Sequence, residues 1–118
     1  MRKADMTAKR FYLVTSGEYD SYYVNAVLSG PQSPALSTIF KRFAKEYGLR
    51  PSTWRLSTWN GIESRIREES QAVERLESEG YQPAGIDAEY SSLAFLFVAW
   101  VLKNYSDFHL MPVTEVNL

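Results

Sequence analysis

The stretch LAFLFVAWVL, residues 93–102, runs apolar without a break, and no other feature restricts the fold as much. It reaches only about half of the roughly 20 residues that a membrane span requires. It is therefore a core segment, which the rest of the chain has to surround. Its length and its alanines favour a buried helix over residues 93–105, with a central strand as the alternative. Ser91 or Ser92 stands where such a helix needs an N-cap. With 118 residues in all, the cover has to come from one domain, because a chain of this size is too short for two ordinary cores.

The cover begins with a hairpin. Residues 11–16 and 21–28 are rich in aromatic and β-branched side chains, and SGEYD between them supplies turn residues. GPQSP then breaks the strand, with Ser33 as expected N-cap and Pro34 as first helical residue. Leu36, Ile39, Phe40, Phe43, Ala44 and Tyr47 follow at helical spacing as far as Gly48, a C-cap residue. Residues 52–59 read as a short strand or as a loop. A second helix is predicted over residues 61–79, capped by Asn60 and closed by Gly80, with a narrow apolar stripe of Ile62, Ile66, Val73 and Leu76. The tail from Phe108 is β-rich, and Pro112 assigns it to an edge or a bulge. Residues 1–9 read as a flexible arm and residues 10–118 as a single α+β domain: a small antiparallel sheet, made of the N-terminal hairpin and a C-terminal strand, packed against about three helices.

Charge is distributed unevenly although the net value is only −1. Lys41, Arg42, Lys45, Arg50 and Arg55 face a lone Glu46 in one segment. In the next, Glu63, Glu68, Glu69, Glu74, Glu77 and Glu79 outnumber Arg65, Arg67 and Arg75. Neighbouring fields of opposite sign suit a protein partner or self-association at least as well as nucleic acid. The thin apolar stripe beside the acidic run is compatible with a homodimer contact, although most such charge runs are solvated surface.

The usual chemistry is missing from the sequence. Without cysteine there are no disulfides, thiol nucleophiles or thiolate metal sites, and an intracellular, cytoplasmic location is the simplest expectation. His109 alone cannot build a histidine zinc site. The six glycines are too scattered for a phosphate cradle. Glu18 and Asp20 could hold a cation or act as acid and base, but solvated turn carboxylates account for them more simply. His109, placed between Phe108 and Leu110, is read as structural. No catalytic residue, metal or cofactor is therefore expected, and no membrane segment.

Two groups remain as candidates for contact. The hairpin presents Tyr19, Tyr22 and Tyr23. Downstream, Arg50, Trp54 and Arg55 combine guanidinium and indole groups in the manner of a protein hot spot. A nucleic-acid reading is the alternative, using Lys41, Arg42, Lys45, Arg50 and Arg55 on phosphates with Trp54 or Trp59 stacked on a base. Both compete with a structural account in which the tryptophans fill the core.

The segment YLVTSGEYDSYYVNAV, residues 12–27, resembles the opening of small bacteriophage and prophage accessory proteins, in which a strand, a Ser-Gly-x-Tyr turn and a tyrosine-rich strand recur. The likeness extends more loosely to the apolar helix and the closing MPVTEVNL, while residues 49–85 match no pattern. It brings no activity for individual residues. It implies a phage origin and a non-enzymatic inhibitor in the bacterial host cell, acting on a host or defence protein in the manner of anti-CRISPR proteins.

Overall fold

The computed structural model describes residues 9–18, 21–49, 54–57, 63–66, 70–86 and 92–112. Strands β1 (Lys9–Glu18) and β2 (Ser21–Pro31) form the long antiparallel hairpin expected from their aromatic and β-branched residues. Helix α1 (Leu36–Glu46) follows, then β3 (Trp54–Ser57), β4 (Glu63–Ile66), α2 (Ser70–Ser78), α3 (Leu93–Asn104) and β5 (His109–Leu110). The strands form one sheet in the order β3-β4-β1-β2-β5. The fold is α+β, and its sheet is larger than the sequence indicated. It is antiparallel except where β4 runs parallel to β1.

Helix α3 explains the layering. Six consecutive residues, Leu93, Ala94, Phe95, Leu96, Phe97 and Val98, are buried, so the helix has no solvent face over its first half. Ser92 caps it and accepts from the Phe95 amide. On one side lie β1 and β2, whose Tyr12, Val14, Ala26 and Leu28 share the core. On another lies α1, where the Phe43 ring sits 4.8 Å from Phe97 and 5.1 Å from Trp100. Among the described residues no helix is long and apolar enough to cross a membrane.

Both surface helices close in the same way. At the end of α1 the Leu49 amide reaches back to the Ala44 carbonyl, and the Gly48 amide to Lys45. At the end of α2 the Tyr81 amide bonds Leu76 and the Gly80 amide bonds Glu77. Gly48 and Gly80 carry the positive φ that this cap demands.

Several expectations need correction. Residues 61–79 are not one helix, since Glu63–Ile66 is strand β4 and the helix begins at Ser70. The competing influence is tertiary: β1 offers a free ladder to a segment whose own helical stripe is thin. Helix α1 starts at Leu36 with Ala35 as its N-cap and no side-chain cap, two residues later than Ser33 would set it. The peptide bond between Ser33 and Pro34 is cis, and Pro34 lies ahead of the N-cap, outside the helix. Lys9, assigned to the arm, is the first residue of β1. Asn60 and Ile62 lie outside the described residues.

A bulge interrupts the hairpin. Val14 pairs with Ala26 but Thr15 pairs with Val24, leaving Asn25 as the extra residue. Its carbonyl accepts from the Ile86 amide at 2.7 Å. Gly85 makes this approach possible, because a Cβ there would stand 2.4 Å from the Asn25 carbonyl oxygen.

Candidate functional site

The sheet register relates the two sequence clusters. Tyr23 on β2 pairs with Ser16 on β1, Ser16 pairs with Ile66 on β4, and Ile66 pairs with Trp54 on β3. A tyrosine and a tryptophan from distant parts of the chain thus fall in one row across four strands. Ser16 stands two residues beyond Val14 on β1, so the row crosses the sheet nearer the hairpin tip. Strands β4 and β3 carry the sheet beyond β1 and β2, the strands on which α3 packs. Tyr22 pairs with Gly17, one step towards the hairpin tip.

The next row carries charge. Val24 pairs with Thr15, Thr15 with Arg65, and Arg65 with Arg55. Arg55 and Trp54 are neighbours on β3 and so stand in adjacent rows of the register. The expected partner-binding group is therefore only partly gathered. Tyr22, Tyr23, Trp54 and Arg55 lie on the sheet, whereas Tyr19 and Arg50 lie outside the described residues.

The residues of the nucleic-acid alternative are divided. Lys41, Arg42 and Lys45 are exposed on α1, Arg55 is on β3, and Arg50 and Trp59 lie outside the described residues. Arg42 is engaged within the molecule, its Nη1 donating to the Tyr105 hydroxyl at 3.2 Å.

Tyr47, the last residue of the apolar helical spacing that runs through α1, has a structural task. Its hydroxyl donates to Glu79 Oε1 at 2.5 Å, and the Arg75 guanidinium carbon lies 4.5 Å from its ring centroid. Arg75 also donates to Glu79 Oε2 and to the Glu46 carbonyl. Burial, and then the hydrogen bond to Glu79, push the Tyr47 phenol well above its ordinary range. The cluster ties the end of α1 to the end of α2.

His109 is exposed on β5 opposite Ser29, which in turn pairs with Phe11. Phe11 is 62% exposed in mid-strand, a feature that alternation alone could not reveal because both FYLV faces are apolar. Glu18 ends β1 and Asp20 lies outside the described residues. Among the described residues, no group of three His, Asp or Glu side chains could hold a metal ion. Arg65, which the sequence assigns to an acidic helix, lies on strand β4. The segment ESRI carries no apolar alternation of its own that would have marked it as a strand.

No family model, curated protein or solved structure matches the chain.

Proposed function

We propose that this chain is a non-enzymatic, protein-binding accessory protein that occupies a surface of its partner. The observation that carries this reading is the register row Tyr23, Ser16, Ile66 and Trp54, which puts a tyrosine and a tryptophan from distant parts of the sequence on one line across four strands. Tyrosine and tryptophan dominate the energetics of protein contacts because they bury large area at low entropic cost. The exposed Phe11 adds apolar surface elsewhere on the sheet. The partner is a host or defence-system protein, and the chain an anti-defence inhibitor of phage origin, on the strength of the hairpin resemblance alone. The nucleic-acid reading draws less support, since its residues are divided between α1 and β3.

The test is affinity capture from a bacterial host, followed by the same capture with Tyr22→Ala/Tyr23→Ala and Trp54→Ala/Arg55→Ala variants whose circular dichroism matches the parent. Both variants should lose the partner that the parent retains through a salt wash. A partner held equally by all three proteins would sink the assignment. Binding to a single-stranded oligonucleotide at low salt, without a protein partner, would shift the reading to nucleic acid.

A further inference from the structure

Arg55 and Arg65 are direct cross-strand neighbours on an antiparallel pair. Like charges in that position destabilise a sheet, and the rest of their row, Thr15 and Val24, brings no charge. Glu63 lies two residues before Arg65 and pairs with Leu13 and Ser57. Among the described strand positions next to the two arginines in the register, Glu63 is the acidic residue.

Strand β3 ends the sheet order and is hydrogen-bonded to β4 alone among the described strands. An edge strand offers main-chain donors and acceptors along its free side, and a cationic residue there selects which strand can add. A second copy pairing through its own β3 would bring further arginines into the row. A strand bearing a carboxylate would relieve the charge already present.

We propose that β3 is an edge for β-augmentation and accepts an extended acidic segment of a partner protein, its carboxylate in the row of Arg55 and Arg65. This rests on the protein-binding reading above and names the chemistry of the partner. Main-chain hydrogen bonds along β3 supply affinity, and alternate side chains supply specificity. The acidic residue stands in the arginine row. Its two neighbours stand in the rows of Trp54 and Leu56 and are apolar.

The experiment titrates the isotope-labelled full chain with three synthetic peptides, Thr-Val-Glu-Val-Thr and the same peptide with Gln or Lys at its centre, and with an oligothymidylate. Amide shifts and exchange rates at residues 54–57 are the readout. The Glu peptide should perturb and protect these amides and bind at least fivefold more tightly than the Gln peptide, and the Lys peptide should not bind. Arg55→Gln/Arg65→Gln should erase the preference for Glu over Gln, and Arg55→Glu should transfer it to the Lys peptide. Equal binding of the three peptides, perturbation elsewhere with none at β3, binding of the oligothymidylate alone, or dimerisation through β3 would each overturn the proposal. If the peptides fail while the Tyr22, Tyr23, Trp54 and Arg55 variants still release the captured protein, the acidic-edge proposal falls and the protein-binding reading stands. If the Glu peptide binds β3 but those variants keep their partner, the proposed aromatic contact falls instead.

Discussion

Tyr47 at the end of α1 donates its hydroxyl to Glu79 just beyond the end of α2. The bond joins two helices whose caps are built alike, and Arg75 braces it from above the ring. Tyr47→Phe keeps the ring and removes the bond. It should lower unfolding stability by about 1 kcal/mol, read by urea denaturation at neutral pH.

The same residue sets a pH response. A tyrosine ordinarily titrates near pH 10, and in the folded chain the Tyr47 phenol is held protonated to higher pH, by burial first and then by Glu79. The unfolded chain therefore releases this proton first, so the stabilisation is complete below about pH 10 and is lost as pH rises beyond it. Tyr12 is shifted in the same direction by burial, opposed by Arg10. Alkaline denaturation curves of Tyr47→Phe should decline less steeply above that pH than the parent's, retaining the Tyr12 component. Parallel curves would refute this.

Gly85→Ala should be far more damaging than Gly48→Ala. Both glycines have positive φ, but a Cβ at Gly48 meets nothing within 4 Å, whereas at Gly85 it would collide with the Asn25 carbonyl and the Phe95 ring. The expected costs are about 1 kcal/mol for Gly48→Ala and about 3 kcal/mol for Gly85→Ala. Thermal melts of the two variants side by side check the order.

Asn25 contributes a different prediction. It is 5% exposed, and among the described residues its side-chain oxygen has no hydrogen-bond partner. A buried acceptor left unmade costs free energy. Asn25→Leu, of similar volume, should therefore match or exceed the parent in melting temperature, and a clear fall would show that the amide is satisfied in solution.

Phe97 is the centre of the aromatic core, fully buried and 4.9 Å from Phe40 and 4.8 Å from Phe43 between ring centroids. Phe97→Ala should cost about 4 kcal/mol, enough to leave a chain of this size partly unfolded. Calorimetry would show a depressed or missing transition.

Local rules located what local physics decides. The hairpin, α1 from its apolar spacing, α3 from its unbroken apolar run and the edge position ahead of Pro112 were all legible, because each depends on a period or a breaker within a few residues. Strand β4 was not. Glu63, Ser64, Arg65 and Ile66 gain their ladder from β1, and nothing within the segment announces that partner. The same gap hid the cross-strand rows. Trp54 and Arg55 could be singled out by residue type, but that Trp54 shares a row with Tyr23, and Arg55 with Arg65, follows only from register.

The parallel pairing of β4 with β1 also has a bearing on synthesis. The N-terminal hairpin can close as soon as β2 leaves the ribosome, yet the outer ladder of β1 has no partner until Ile66 has emerged, after the whole of α1 and β3. During that interval the side of β1 that will receive β4 is an edge of the hairpin, an invitation to any extended segment nearby. A nascent chain stalled before residue 63 should thus associate with itself or recruit a chaperone, while one stalled after β4 should not.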